Sequence, residues 1–186
     1  MAVLKTIPKR LSYTYEDYAK LPEGAPYQLI GGQLIMTPSP TPYHQEVLKR
    51  LEFMLYEYVE RKNQLGKVFF APIDVYLEEG ETYQPDLIFI AKERLDIIKE
   101  DKVEGAPDLV VEILSPSTAY YDLRHKKAIY ARHGVKEYWI VDPGERSIEL
   151  YENRGNEFVL VGKAIEEGEI GSIILPGFEV GLKAIF

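Results

Sequence analysis

The spacing of apolar residues divides the chain into two helical stretches, several short strands and a closing meander. Val47, Leu48, Leu51, Met54, Leu55 and Tyr58 fall on one stripe, which predicts a long helix from about Tyr43 to Asn63. A shorter helix is predicted from Tyr13 to Leu21, with Thr14 as its N-cap and Pro22 ending it. Tyr27 to Met36 reads as two short strands joined by Gly31-Gly32, a hairpin signal, and 37–42 is a proline-punctuated loop. After Gly66 come strand patterns over 67–80 and 83–91, then a charged, short-helical connection over 92–104. A second helix is predicted from about Tyr121 to His133, with Gly134 as a left-handed cap. Residues 136–142, 147–153 and 157–163, separated by Pro143-Gly144 and Arg154-Gly155, predict an antiparallel meander. The tail from Ile174 adds one short strand or turn. The resulting class is α/β or α+β: a central mixed sheet flanked by helices, with added β-hairpins.

One strand breaks its own pattern. Pro107 to Ser115 is an apolar run with Glu112 at its middle. Alternation turns Leu109, Val111 and Ile113 one way and Val110, Glu112 and Leu114 the other. A carboxylate placed between Val110 and Leu114 is costly to desolvate unless a cation, a metal or several donors meet it. On the following helix, residues 122, 126, 129, 130 and 133 share a face, so Lys126 points toward the sheet beside Ile129 and Tyr130. Lys127 lies about a hundred degrees round and is expected in solvent. Asp86 follows Pro85 at the entry of its strand, as Asp108 follows Pro107 at the entry of the Glu112 strand.

Composition narrows the chemistry. The chain has 186 residues, 46% hydrophobic and 28% charged, which suits one soluble domain. No apolar run is long enough to span a membrane and the first residues lack a signal-peptide core, so a cytoplasmic location is expected. Zero cysteines exclude disulfides and thiol chemistry, and with three histidines a zinc site is not expected. The net charge of −8 weighs against a broad phosphate-binding surface but leaves a local basic strip open. No phosphate-cradling glycine motif is present, and Ser115 and Ser117 lack the elbow and matched histidine of a serine hydrolase.

Each acid or cation alone reads most simply as structural: a Glu112–Lys126 or Glu112–Arg124 pair, and an Asp86 that caps a turn. Together, two strand-borne carboxylates and an inward lysine suggest a site for Mg²⁺ or Mn²⁺, with Asp86 and Glu112 as ligands. Such ions keep waters for a substrate phosphate, and a nearby lysine can position the attacking water.

In that order Asp86, Glu112 and Lys126 resemble the PD-(D/E)XK nuclease superfamily and, within it, the Uma-type restriction endonucleases. The resemblance runs from about Tyr13 to the C-terminus. It is carried by YQLIGGQLIM, SPTPYHQEV, APIDVYL, YQPDLIFI, PDLVVEILSPST, by Asp122, Lys126 and Tyr130, and by HGVKEYWIVDP and LPGFEV. It implies a restriction endonuclease-like fold over 1–186. Residues 1–42 would form an N-terminal helix and hairpin arm, and 43–186 the nuclease core and meander. It implies hydrolysis of DNA phosphodiester bonds, with Asp86 and Glu112 holding Mg²⁺ or Mn²⁺ and Lys126 completing the catalytic set. The superfamily's lysine usually stands two residues after the glutamate, where this chain has Leu114; Lys126 takes its place. Gln28 and Gln33 stand where the family's hairpin commonly carries glutamates. Two alternatives stay open: a nuclease fold that binds or assembles without cutting, and hydrolysis of RNA or another nucleic acid. A homodimer is also expected, because cutting a duplex calls for two sites.

Further candidates stand at the edge of this site. His44 opens the long helix and shares its apolar face, and the family often has histidine there. Asp74 either points into the same cleft or faces solvent. Gln28, Ser115 and Asp122 complete the edge. Asp108 is read as a strand-entry residue, and His125 and His133 as exposed or capping. Of fourteen tyrosines, Tyr120, Tyr121, Tyr130 and Tyr138 crowd the site, either stacking on bases or, as is more usual, burying their rings.

Overall fold

The computed structural model describes residues 11–22, 24–115 and 121–186. Helix α1 (Tyr15–Ala19) starts with a capping box, in which Thr14 accepts from the Asp17 N–H and Asp17 accepts from the Thr14 N–H. Strands β1 (Tyr27–Ile30) and β2 (Gln33–Met36) form the hairpin. Gly31 and Gly32 both have positive φ, +57° and +70°, as a tight two-residue turn requires. Helix α2 (Pro42–Tyr56) is capped by Thr41. The stretch expected to continue it as α-helix to Asn63 instead widens into π-helical turns over Glu57–Lys62.

The run at 67–80 does not form one strand. It splits into β3 (Gly66–Phe70) and β4 (Val75–Glu78), which belong to different sheets. Pro72 lies between them and has no N–H to give a ladder. The next run also divides, into β5 (Glu81–Tyr83) and β6 (Leu87–Ala91), separated by Gln84-Pro85-Asp86. A 3₁₀ turn (Lys92–Ile97) and the two-residue β7 (Val103–Glu104) lead to β8 (Leu109–Ile113). π-helical turns over Tyr121–Lys126 run into α3 (Lys127–Arg132), and the meander follows as β9 (Glu137–Asp142), β10 (Ser147–Asn153) and β11 (Phe158–Ile165). The tail is more structured than expected, with β12 (Glu169–Gly171) and β13 (Glu179–Gly181) paired and a closing turn α4 (Leu182–Ile185).

The larger sheet has the order β11-β10-β9-β8-β6-β3, mixed because β8 and β9 run parallel while its other pairs are antiparallel. The hairpin is built into a second sheet, β2-β1-β5-β4-β7. Alternation along β8 separates two cores as expected. Leu109, Val111 and Ile113 pack with Val47, Leu51 and Leu55 of α2, whereas Val110 packs with Ile129 and Tyr130 and with Val75 and Tyr83 of the second sheet. Each fully buried aliphatic side chain contributes about 1.5–3 kcal/mol to this layering. Glu112 shares the parity of Val110, so it faces the layer of α3 and the second sheet.

Candidate active site

The demand set by a buried carboxylate in β8 is met from the helix. Glu112 is 3% exposed and Lys126 2% exposed. Glu112 Oε1 accepts from Lys126 Nζ at 3.1 Å and from the Tyr130 hydroxyl, one helical turn further on, at 2.8 Å. Burial pushes the Tyr130 phenol well above its usual pKa, and the charge of Glu112 adds to the rise, so the hydroxyl remains a donor. Lys126 Nζ also lies 5.7 Å from the Tyr83 ring centre. Lys126 is thus the inward cation at Glu112, and Arg124 is exposed.

Asp86 reaches the same place from the neighbouring strand. Leu87 pairs with Val111, which sets Asp86, one residue earlier, level with Glu112. Asp86 Oδ2 accepts from the Ile113 N–H at 2.7 Å. His44, positioned by the Thr41 cap on α2, lies with Nε2 3.1 Å from the Ile113 carbonyl and 3.4 Å from Asp86 Oδ1. Ile113 therefore serves the site through its backbone while its side chain lies in the core.

From the other side comes Gln28 on β1, 4% exposed, whose Oε1 accepts from the Gln84 N–H at 3.0 Å. Gln28, His44, Asp86, Glu112, Ser115 and Lys126 line one cleft of about 650 Å³. Asp74 does not line it. Asp74 accepts from the Tyr18 hydroxyl at 2.7 Å and from Gln84 Nε2 at 2.8 Å, on the wall of an adjoining cleft that also includes Gln84. Gln33 is exposed and donates to the Leu11 carbonyl. The side chain of Asp122, and Ser117 and Tyr120 entirely, lie outside the described residues.

Other sequence candidates have structural employment. Asp108 is buried and paired with Arg94 at 3.0 Å and Lys136 at 2.8 Å, the strand-entry role expected of it. His125 is not simply a surface or capping residue: its Nε2 lies 2.9 Å from buried Glu81, which also accepts from the Gly31 N–H of the hairpin turn. His133 lies 3.4 Å from Glu78. Lys127, expected in solvent, is half-buried with its ammonium 3.2 Å from the Tyr151 ring centre, and burial lowers its pKa. Tyr130 and Tyr138 bury their rings against each other and against Tyr83 and Phe158.

Sequence reasoning missed the hydroxyl of Tyr130 as a partner of Glu112. It also missed Gln84, which joins the two clefts, and Glu137, a second carboxylate in an apolar strand. Burial raises the pKa of Glu137, and donors from Trp139, Ile174, Ser172 and Ile173 offset part of the rise. The available signal was a carboxylate opening the apolar run Tyr138 to Val141 of β9.

The donor set suits a hard cation. Among the described residues no group of three or more His, Cys, Asp or Glu is placed to hold a metal ion. Two carboxylates on one cleft wall, with room for water, fit Mg²⁺ or Mn²⁺ and not tetrahedral zinc.

The sequence family Uma2, described as "Putative restriction endonuclease", matches residues 15–183. The chain belongs to the Uma2 family. A solved structure described as "a putative nuclease belonging to DUF820" from Anabaena variabilis aligns with a TM-score of 0.76 at 19% identity, covering 93% of this chain and 97% of that one. At that identity the likeness establishes the nuclease-type fold. Among curated proteins no match is found. The Uma2 match spans the hairpin, α1 to α3 and every strand that borders the cleft. No helix among the described residues is long and apolar enough to cross a membrane.

Proposed function

We propose that this Uma2 chain is a metal-dependent endonuclease that hydrolyses DNA phosphodiester bonds in the cleft between β8, β6 and β1. The observation that carries the reading is the convergence of Asp86, Glu112 and Lys126 on one cleft wall. Asp86 and Glu112 would hold Mg²⁺ or Mn²⁺. Such an ion supplies Lewis acidity at phosphorus and lowers the pKa of water to the range where hydroxide forms.

The remaining work falls to the chain. Lys126 donates to Glu112, and an ammonium held at that point of the cleft would orient water and offset charge growing on phosphate oxygens. Tyr130 fixes the rotamer of Glu112, and the Ile113 N–H fixes that of Asp86. His44 steadies the same peptide from α2. A volume of about 650 Å³ admits a nucleotide-sized segment of strand.

Calorimetric titration with Mn²⁺, paired with cleavage of supercoiled plasmid, tests the reading. Wild type should bind and cut, whereas Asp86→Asn and Glu112→Gln should lose both. Wild type and variants alike giving neither heat nor cleavage would sink it. A second reading, a Uma2 fold kept as a binding or assembly module that does not cut, draws on the net charge of −8, which weighs against broad phosphate contact. It expects no Mn²⁺-dependent cleavage of DNA or RNA and no salt-sensitive duplex binding, whereas a nuclease with phosphate contacts must bind more weakly as salt rises. Both readings place the protein in the cytoplasm, and cutting both strands would require a homodimer.

A further inference from the structure

The wall of the cleft opposite Glu112 carries two polar groups that the proposed chemistry does not use. Gln28 meets the Gln84 N–H through Oε1. A backbone N–H can be met only by the amide oxygen, so this bond settles which way the Gln28 head group is turned. Nε2, with its two N–H groups, is left over. Among the described residues nothing accepts from it, although Gln28 is 4% exposed and lines the cleft. Thr37 lines the same cleft, and its Oγ1 is buried with no hydrogen-bond partner among the described residues.

The hairpin register makes these two groups neighbours. Tyr27 pairs with Met36, and the Thr37 N–H donates to the Pro26 carbonyl, so Thr37 lies across from Pro26. Pro26 and Gln28 are two apart and share a face, which puts Thr37 and Gln28 in diagonal contact range on that face. The Thr37 hydroxyl is buried with its hydrogen-bonding capacity unmet, which is costly, and the Gln28 amide adds two donors on the same cleft lining. An oxygen-rich ligand removes that cost, and a cation does not, because the amide hydrogens repel it.

We propose that Gln28 and Thr37 form a phosphate-oxygen subsite that holds the nucleic-acid strand on the hairpin side of the cleft. The subsite rests on the nuclease reading but is separate from the metal ligands. Gln28 and Thr37 are binding residues, and neither enters the chemistry.

The test uses a labelled 20-base-pair duplex in EDTA, with affinity read by fluorescence anisotropy. Gln28→Glu keeps an oxygen for the Gln84 N–H but removes both donors, and Thr37→Val removes only the hydroxyl. Each should weaken binding by about tenfold, the loss expected for a hydrogen bond to a charged oxygen. Without duplex, Thr37→Val should keep or raise the melting temperature, since it deletes an unmet buried hydroxyl. A melting temperature that falls while affinity holds would mean a structural role and overturn the subsite. Equal affinity in both variants and wild type overturns it too, while the nuclease reading still stands if Asp86→Asn abolishes cleavage. Wild type that binds no duplex overturns both.

Discussion

At Glu112 the costs of burial decide what its neighbours must be. The carboxylate and the Lys126 ammonium are each almost fully removed from water, so their mutual attraction works mainly to repay desolvation. Removing one partner strands the other. Lys126→Met should therefore cost about 3–5 kcal/mol in urea unfolding. The double variant Glu112→Gln with Lys126→Met should recover more than half of that loss, and a double variant no more stable than the single one would contradict this account. The same residues show what a sequence can and cannot disclose. A charge in an apolar strand exposed Glu112 to view, and helical spacing exposed Lys126. Yet Glu137, at the head of the apolar run in β9, is answered by donors of the 172–174 segment, which do not line the cleft. The pattern reveals that a carboxylate needs partners; only the fold reveals who they are. Gln84 and Thr37 gave no signal, because their importance comes from which strands lie across from them.

The hairpin is the element on which the cleft's far wall depends. Its turn is held by the Glu81 carboxylate on the Gly31 N–H and by the Gly32 N–H on the Gly80 carbonyl. Gly32 sits at φ +70°, and a Cβ there would come within 2.3 Å of Ser12 Oγ. Gly32→Ala should cost about 1–2 kcal/mol from left-handed strain alone, measured by thermal or urea unfolding. A neutral result would show that the turn relaxes without loss. The Gly-Gly signal and the period-two strands made this element legible, as did the stripe that marked α2. Two features at this scale were not. Apolar spacing near 3.6 does not distinguish α- from π-winding at 57–62, since a few residues satisfy both. Pro72 stood inside a strand-like run, and nothing local says that the chain changes sheets there.

Across the whole molecule, the larger sheet gains cohesion where β6, β8 and β9 begin or end. Asp108 joins that edge by accepting from the Ala91 N–H and pairing with Lys136 and Arg94. Burial alone would raise its pKa, but those three donors outweigh burial and hold it below 3.8. A depressed folded-state pKa means that ionised Asp108 stabilises the fold above about 3.8, and that this stability is lost as pH falls through the lower folded value. Wild type should exceed Asp108→Asn in urea midpoint at pH 6, with the gap shrinking as the pH drops below 4. A gap independent of pH would show that the pairing matters by shape and not by charge. The mixed sheet with flanking helices was readable in advance. The second sheet was not, because its pairings join β1 to β5 across 50 residues of intervening chain and depend on long-range register.

The peptide group of Ile113 gives this architecture an unusual kind of vulnerability. Its N–H holds Asp86 and its carbonyl meets His44, so two contacts of the cleft are addressed to a position rather than to a side chain. Evolution can exchange Ile113 for another apolar residue without altering either contact, and a side-chain scan would record only a core defect there. What the cleft cannot tolerate is a slip of β8 against β6 by one residue. Such a slip would hand Asp86 a different amide and turn Glu112 toward α2.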